Sequence, residues 1–198
     1  VRGVILSGGQ QLKGEKVILT TGTFLGGVMH TGPKKEPGGR RGDLPSNELA
    51  RRLRSMPFRL GRLKTGTPPR LEGKTLNWKK LETQQGDTPT PHMSYVFKKG
   101  LRPKQVNCHI TRTTPQTHEI IRGSLNESPL FSGAIEGVGP RYCPSIEDKV
   151  VRFSDKETHQ IFVEPEGLKT TEIYPNGIST SLPIEVQESF IRTIPGFE

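Results

Sequence analysis

Glycine and proline recur so often along this chain of 198 residues that they favour a loop-rich globular structure. The chain has 23 glycines and 17 prolines, and both residue types weaken or end regular secondary structure. The apolar segments between them are short, and none approaches the roughly 18 residues that a membrane-spanning helix needs. We therefore expect a loop-rich globular chain of short, mixed strands and helices, with no membrane association.

The cysteines and histidines favour neither a disulfide framework nor a metal site. Two cysteines, Cys108 and Cys143, are too few for a four-cysteine zinc site. The five histidines are scattered without the spacing of metal ligands, so we predict no metal. The opening residues are typical of a strand rather than of a secretory signal peptide, and no leader is expected.

Basic side chains are concentrated in the first part of the chain. Residues 1–112 hold 22 basic and 7 acidic side chains, whereas residues 113–198 hold 7 and 13. The densest basic stretch, between positions 40 and 70, contains Arg40, Arg41, Arg51, Arg52, Arg54, Arg59, Arg62, Lys64 and Arg70. Such a stripe suits a polyanion, because each neutralised phosphate releases counterions. A solvated basic face, or a nucleotide phosphate site that uses one or two arginines, is an alternative interpretation.

The first third of the chain predicts a buried strand followed by a capped helix. Residues 15–19 contain a continuous apolar run, typical of a strand that is buried on both faces of an α/β sheet. The strand would end at Thr21 and Gly22, at the sheet edge where ligands bind in such folds. Ser46 then predicts the N-cap of a helix that ends before Pro57. The start of this helix could hold a phosphate, or it could be an ordinary capped terminus.

The remaining elements are predicted from periodicity and turn residues. Residues 58–63 alternate like a half-buried strand. Further strands are expected at 106–110, 149–153, 160–163 and 173–178, with helices at 114–125 and 185–192. Thr114 and Pro115 supply a cap and a first-turn proline for the earlier of these helices. Short strands mixed with short helices indicate an α+β module.

Cys143 is the stronger candidate for a reactive thiol. It lies in a glycine- and proline-rich loop between Arg141 and Lys149, and nearby cations favour the thiolate. An inert loop cysteine is the alternative. Cys108 lies in a predicted strand beside Asn107 and His109, where a thiol usually packs as a small apolar group.

Six blocks of sequence together carry a resemblance to a known family. They are V-I-L-T-T-G-T-F-L at 17–25, G-G-R at 38–40 with G-D at 42–43 and P-S at 45–46, G-R-L-K-T-G-T-P-P-R at 61–70, G-V-G-P-R-Y-C-P-S-I-E-D-K at 137–149, F-V-E-P-E-G-L at 162–168 and I-Y-P-N-G-I-S at 173–179. The chain resembles the tRNA uridine 5-carboxymethylaminomethyl modification enzymes, the FAD-binding MnmG/GidA family. The blocks span nearly the whole chain, and those at 61–70 and 137–149 are long and specific.

The resemblance implies an α/β fold that is part of a two-dinucleotide-binding-domain flavoprotein. Residues 1–73 would complete the FAD-binding domain, and residues 74–198 would form an inserted α+β nicotinamide and substrate domain. Family members are about three times longer, and they begin with a glycine-rich turn for FAD that this sequence lacks. The chain is therefore expected to be an internal fragment that is inactive by itself.

Site residues follow from the resemblance position by position. Thr21 and Gly22 would run past FAD, and Ser46 matches a position that contacts FAD. Cys143 matches a cysteine implicated in the modification chemistry, with its role as nucleophile or acid/base left open. The charge of the basic stripe, rather than a matched family position, predicts that Arg51, Arg52 and Arg54 bind RNA. The segment implied to bind the nicotinamide dinucleotide consists of Gly139, Pro140, Arg141, Tyr142, Cys143, Pro144, Ser145, Ile146, Glu147, Asp148, Lys149, Val150, Val151, Arg152 and Phe153.

The implied activity is modification of the wobble uridine of tRNA at C5, with FAD and NADH as cofactors. A folate-borne one-carbon unit would be joined to the base together with glycine or ammonium. A partner GTPase of the MnmE type, a homodimer and a cytoplasmic location are implied as well. Two alternatives remain: a non-catalytic RNA- or nucleotide-binding module, and a relative of the folate-dependent tRNA uridine methyltransferases.

Overall fold

The computed structural model describes residues 1–92, 94–96, 104–135, 137, 139 and 144–198. They form two compact units, one of Val1–Met29 with Lys35–Leu60 and one of His30–Lys34 with Gly61–Glu198. In the part of the chain so described, no helix has the length and apolar character needed to cross a membrane. The division at residue 73, which concerns the domains of the whole flavoprotein, stays a prediction.

The first 60 residues form two short two-stranded sheets and one α-helix. Strand β1 (Gly3–Ile5) pairs with β2 (Gln11–Lys13) across the turn between them. Strands β3 (Val28–Thr31) and β4 (Lys34–Pro37) form a second two-stranded sheet. Helix α1 (Asn47–Arg54) follows at the predicted place and buries Ala50.

Two strands expected from the sequence pattern are absent from their positions. Residues 15–19 have no strand structure, and Ile18 is 85% exposed rather than buried on both faces. Residues 58–63 form no strand either, with Phe58 and Leu63 both exposed. An apolar or alternating pattern makes a strand only where neighbouring strands satisfy its backbone groups. Residues 15–19 contain no β-bridge, and residues 58–63 contain an isolated bridge at Leu63 but no strand.

The second unit contains a five-stranded antiparallel sheet. Its strands are β5 (Leu71–Glu72), β6 (Glu82–Gln84), β7 (Cys108–Arg112), β8 (Gln160–Pro165) and β9 (Glu172–Asn176). Their spatial order is β5-β9-β8-β7-β6. The register places Thr111 opposite Ile161, and Val163 opposite Pro175. All four of these residues are buried, so one face of the sheet points into the core.

Three α-helices lie in the described part of this unit. Helix α2 (Pro115–Gly123) begins with the predicted Thr114 cap and Pro115, and α4 (Ile184–Ile191) covers the predicted last helix. Helix α3 (Ile146–Arg152) lies between β7 and β8 in the chain. Sheet and helices share one apolar core of Leu76, Leu81, Ile121, Ile146, Val150, Ile161, Val163, Ile173, Ile178, Leu182, Phe190, Ile191, Ile194 and Phe197. The α+β prediction for this part is confirmed.

Helix α3 corrects the strand expected at 149–153. The β-branched pair Val150 and Val151 favours a strand locally. A capping box at Ser145 and Asp148 instead starts a helix whose Ile146 and Val150 are fully buried. Because a cap satisfies backbone donors and the buried side chains stabilise the helix, they override the weaker strand preference.

Candidate functional site

Glu147 is a fully buried carboxylate at the centre of the second unit. Its Oε1 atom accepts hydrogen bonds from Ser128 Oγ at 2.7 Å, from Thr180 Oγ1 at 2.9 Å and from the backbone N–H of Ser181 at 3.3 Å. Its Oε2 atom is also buried and has no hydrogen-bond partner among the described residues. A buried polar group needs such partners, so the Glu147 side chain ties two separate segments, at 128 and at 180–181, to α3.

For each hydroxyl group around Glu147, the donor and the acceptor of the hydrogen bond can be assigned. Ser128 donates its only hydroxyl hydrogen to Glu147, so it accepts from Ser181 Oγ, which lies 3.1 Å away. Ser181 Oγ in turn accepts from the backbone N–H of Leu130 at 3.0 Å. The carbonyl of the same Leu130 accepts from Lys64 Nζ at 3.1 Å. A chain of hydrogen bonds therefore runs from the buried carboxylate to the Lys64 ammonium.

A second connection runs from Glu147 to the segment at 61–70. The backbone N–H of Thr180, whose hydroxyl bonds Glu147, donates to Thr67 O at 3.3 Å. Gly66 packs so closely that a Cβ atom there would lie 3.0 Å from Ser179 Cβ. The carbonyl of Ser179 accepts from the N–H of Ile146 at 2.8 Å. Three of the blocks that carry the resemblance, at 61–70, 137–149 and 173–179, thus meet in one place.

Two glycines of the 137–149 block approach the backbone of the 61–70 block. A Cβ atom on Gly137 would lie 2.8 Å from Arg62 O, and the φ of Gly137 is +133°. A Cβ atom on Gly139 would lie 3.9 Å from Lys64 O. Glycine permits both the close approach and the unusual backbone angle at 137. Gly137 and Gly139 therefore lie beside the backbone of Arg62 and Lys64.

Among the described residues of the predicted nicotinamide segment, some side chains are buried and others are exposed. Ile146, Glu147 and Val150 are fully buried, so their side chains hold the fold rather than face solvent. The Ser145 hydroxyl accepts from the N–H of Asp148 at 3.1 Å, which occupies both residues in the capping box. The exposed members are Gly139, Val151, Arg152 and Phe153. The assignment of this segment to a nicotinamide dinucleotide stays a prediction.

Lys149 and Arg152 have structural partners on or near α3. Lys149 Nζ donates to Gly177 O at 2.7 Å, which ties the helix to the turn after β9. Arg152 forms an exposed ion pair with Asp148 at 3.4 Å, one helical turn earlier. Exposed pairs of this kind contribute about 0.3–0.5 kcal/mol. Pro144 is half-buried and directly precedes the Ser145 cap.

Of the two cysteines, Cys108 belongs to the described residues and Cys143 does not. Cys143, with Pro140, Arg141 and Tyr142, lies outside the described residues, so its predicted role stays a prediction. Cys108 is half-buried on β7. Burial, and then the nearby Glu164 carboxylate, raise the pKa of the Cys108 thiol. A raised pKa suppresses the thiolate, which agrees with a packing role for Cys108.

In the first unit, the residues predicted to contact FAD lie close to one another. Gly22 has a φ of +53°, and the turn at 21–24 is closed by the N–H of Phe24 donating to Thr21 O at 3.1 Å. The N–H of Ser46 donates to Phe24 O at 2.8 Å. Ser46 occupies the N-cap position of α1, yet its side chain makes no cap hydrogen bond, contrary to the capping expected from sequence. Its backbone angles, φ −84° and ψ 73°, lie outside the extended conformation usual for a cap.

The three arginines predicted to bind RNA lie on α1 and are exposed. Arg51 forms an ion pair with Glu48 at 2.8 Å, one turn earlier on the helix. Arg52 and Arg54 share the same short helix and add to the positive charge near its end. Helix α1 therefore presents a compact basic surface.

Sequence reasoning did not identify the network around Glu147. Ser128, Thr180 and Ser181 lie 19 to 34 residues from Glu147 in the chain, a separation that no local pattern reveals. The one available signal is helical spacing. Glu147 precedes Val150 by three positions and follows buried Ile146, which places a carboxylate on the apolar side of α3.

Comparison with known proteins gives consistent matches over the whole chain. A family model described as "Glucose inhibited division protein A" matches residues 1–198. The structure of Aquifex aeolicus GidA in its form I crystal is 53% identical, with a TM-score of 0.84 over 98% of this chain and 33% of that chain. The form II crystal structure is 50% identical, with a TM-score of 0.81 over 98% of this chain and 31% of that chain.

These matches confirm the family resemblance. They also confirm the predicted fold class, an α/β segment of the two-dinucleotide-binding-domain flavoproteins of this family. The chain spans about a third of the length of the solved structures that it matches.

Proposed function

This chain belongs to the GidA family, and from this premise we propose that it is part of a flavin-dependent enzyme that modifies the wobble uridine of tRNA at C5. The observation that carries the proposal is the 53% identity to Aquifex aeolicus GidA over 98% of the chain. The proposed product is the aminomethyl or carboxymethylaminomethyl uridine. The carbon comes from a folate-borne one-carbon unit, and the reductant is NADH.

FAD is the proposed cofactor, and the first unit offers residues that fit it. The turn at 21–24 and Ser46 are joined by a hydrogen bond, and the Ser46 hydroxyl is not used to cap α1. Gly22 leaves room beside the backbone because it has no side chain. Thr21, Gly22 and Ser46 would thus hold part of FAD, which supplies the redox chemistry when bound. The protein contributes binding, orientation and the exclusion of competing reactions.

The direct test of this proposal uses the full-length protein. It should purify with the visible absorption of oxidised flavin, and it should oxidise NADH. With the folate donor, glycine or ammonium, and the partner GTPase, it should modify the wobble uridine of unmodified tRNA, as measured by nucleoside mass spectrometry. A colourless protein that binds RNA would favour the non-catalytic alternative. A methylated uridine as the only product would favour the methyltransferase alternative.

The segment at 139–153 is proposed to bind the nicotinamide dinucleotide, with Cys143 as the catalytic residue. Loop position and the neighbouring cations Arg141 and Lys149 in the sequence support a reactive thiol at Cys143. Cys143→Ala in the full-length protein should abolish uridine modification while FAD stays bound. Cys108→Ala is the matched control and should keep most of the activity, with a modest loss of stability. Activity lost only in Cys108→Ala would contradict the assignment.

The basic surface of α1 is proposed to contact tRNA phosphates. Each phosphate contact contributes about one unit to the slope of log K against log salt concentration. Charge reversal at Arg51, Arg52 and Arg54 should therefore weaken tRNA binding and flatten that slope. Reversal at Lys74 and Lys79, two exposed cations of the second unit, is the control. If the slope of log K against log salt concentration does not change after charge reversal on α1, this surface is solvated and does not contact tRNA.

A partner GTPase of the MnmE type, a homodimer and a cytoplasmic location complete the proposal. Residues 1–73 are proposed as the end of the FAD-binding domain and residues 74–198 as the inserted domain. The isolated chain of 198 residues should be inactive, since it has no glycine-rich turn for the FAD pyrophosphate. Stoichiometric flavin on the isolated chain would contradict this part of the proposal.

A further inference from the structure

The peptide between Thr23 and Phe24 is packed against the backbone of two glycines in the first unit. A Cβ atom on Gly39 would lie 2.6 Å from Phe24 Cα and 2.7 Å from Thr23 O. A Cβ atom on Gly27 would lie 2.4 Å from the same Thr23 O. Because the crowded atoms belong to the backbone, no flexible side chain can move aside for a larger residue. Glycine is therefore required on both sides of this peptide.

Two hydrogen bonds join the same segments. The Thr23 hydroxyl donates to Gly39 O at 2.5 Å, and this bond is exposed. The N–H of Gly38 donates to Gly27 O at 3.0 Å. Because water can replace an exposed hydrogen bond, the Thr23 hydroxyl contributes little to global stability. Its effect is therefore expected on the local position of the Thr23 backbone relative to Gly39.

The Phe24 carbonyl connects this packed peptide to the start of α1. Phe24 O accepts from the N–H of Gly27 at 3.3 Å and from the N–H of Ser46 at 2.8 Å. The N–H of Phe24 closes the turn by donating to Thr21 O at 3.1 Å. A shift of the Phe24 backbone would therefore move Thr21 and Ser46 relative to each other. These two residues are among those proposed above to contact FAD.

We propose that Thr23 and Gly39 are positioning residues for FAD. They hold the Phe24 backbone, and through it the separation between Thr21 and Ser46. The identity of the ligand rests on the proposed function. The link from Gly39 to Ser46 rests on contacts within the first unit alone. The two parts therefore have separate tests.

The first test measures the link without FAD. In the FAD-free full-length protein, hydrogen exchange followed by mass spectrometry reports how well the N–H of Ser46 is protected. Gly39→Ala forces a Cβ atom against Phe24 and should raise the exchange rate at Ser46 several-fold. Gly8→Ala is the matched control, since a Cβ atom on Gly8 would meet nothing within 4 Å. Unchanged exchange at Ser46 in Gly39→Ala would overturn the link.

Thr23→Val keeps this test decisive if Gly39→Ala does not fold. Valine has the shape of threonine but cannot donate to Gly39 O. The lost bond is exposed, so the midpoint of chemical denaturation should stay near the wild-type value. Exchange at Ser46 should nevertheless rise, and Thr23→Ser, which keeps the hydroxyl, should restore the protection. Wild-type protection of Ser46 in Thr23→Val would equally overturn the link.

The second test measures the affinity for FAD. The FAD-free full-length protein is titrated with FAD, and the change in flavin fluorescence gives the Kd. Thr23→Val should raise this Kd about three- to tenfold, the range that corresponds to one hydrogen bond. Thr23→Ser and Gly8→Ala should keep the wild-type Kd. A residue with a merely structural role would lower the denaturation midpoint and leave the Kd of the folded protein unchanged. That result for Thr23→Val would overturn the proposal.

Exchange and affinity together distinguish failure of this proposal from failure of the proposed function. A wild-type protein that does not bind FAD would refute the proposed function and the cofactor assignment together. Exchange at Ser46 would still decide whether Thr23 and Gly39 hold the turn. Faster exchange in Thr23→Val with an unchanged Kd for FAD would confirm the link and overturn its role in FAD binding.

Discussion

Thr180 donates its hydroxyl hydrogen to the buried carboxylate of Glu147 over 2.9 Å, and the same residue pairs its backbone with Thr67. The Thr180 hydroxyl also accepts from the N–H of Leu182 at 3.1 Å. The Thr180 side chain thus links Glu147 on α3 to the backbone N–H of Leu182, in the turn before α4. Because Thr180 and Glu147 are both buried, neither group can replace this bond with water.

Thr180→Val should therefore destabilise the protein. Valine has the shape of threonine but lacks the donor to Glu147 and the acceptor for Leu182. We expect a loss of about 1–3 kcal/mol, the usual cost of leaving buried polar groups without partners. The measurement is chemical denaturation of the full-length protein. Thr171→Val is the control, since its bond to Glu72 is exposed. If Thr180→Val and Thr171→Val lower the free energy of unfolding equally, burial of the hydrogen bond does not determine its contribution.

Ser145→Ala tests why α3 is a helix. Ser145 Oγ accepts from the N–H of Asp148, and Asp148 bonds back to the N–H of Ser145. Loss of such a cap costs about 0.5–2 kcal/mol. Ser124→Ala is the matched control, because Ser124 precedes a 3-10 turn without a side-chain cap bond. The expected result is a lower midpoint of denaturation in Ser145→Ala than in Ser124→Ala.

The helices and strands that could be predicted have strong local signals. Thr114 and Pro115 mark the start of α2, and the structure has both at the predicted positions. The strands at 106–110, 160–163 and 173–178 are found within two or three residues. Their alternating side chains face a core on one side, so pattern and packing agree.

The errors occur where long-range partners decide the structure. Ile18 belongs to an apolar run typical of a buried strand, yet a strand also needs neighbours, which the run does not specify. Val150 and Val151 favour a strand locally, but the Ser145 cap and the core contacts of Val150 make a helix. The Glu147 network is formed by segments far apart in sequence. For the same reason the candidate site could be predicted only as separate blocks, while their meeting point required the structure.

Arg70→Lys should destabilise the second unit because lysine cannot reproduce the contacts of the guanidinium. Arg70 donates to Glu166, to Thr67 Oγ1 at 2.9 Å and to Pro68 O at 2.8 Å. Its guanidinium carbon also lies 4.1 Å from the centre of the Tyr174 ring. Such forked and stacked contacts are specific to arginine. We expect a loss of about 1 kcal/mol, reduced by the partial exposure of the ion pair.

Arg51→Lys is the control for this substitution. The ion pair of Arg51 with Glu48 is exposed, with 70% of the arginine side chain accessible. Exposed pairs contribute little, so the change should be within about 0.5 kcal/mol. Thermal denaturation of the two variants compares them directly. A larger effect at Arg51 than at Arg70 would contradict this account.

A pair of histidines should make the second unit less stable as the pH falls below neutral. His118 is buried, stacks on His159 with ring centres 5.1 Å apart, and has its Nε2 atom 2.8 Å from Thr113 Oγ1. Burial, and then the charges of His159 and Arg122, lower the pKa of His118. Burial, and then the charge of Lys149, lower the pKa of His159.

The sign of the effect follows from proton uptake. Unfolded histidines bind protons near pH 6.5, whereas the folded pair binds them only at a lower pH. As the pH falls below about 6.5, the unfolded state binds protons at these histidines and the folded state does not. The free energy of unfolding therefore decreases. Well above that pH both states are neutral at these positions, and the pair causes no pH dependence. Denaturation at pH 7.5, 6.5 and 5.5 should therefore show a larger decline between pH 6.5 and 5.5 than between pH 7.5 and 6.5. Replacing both histidines with glutamine should flatten the decline, whatever it does to stability at pH 7.5. A decline of equal size in the double variant would assign the acid sensitivity to other groups.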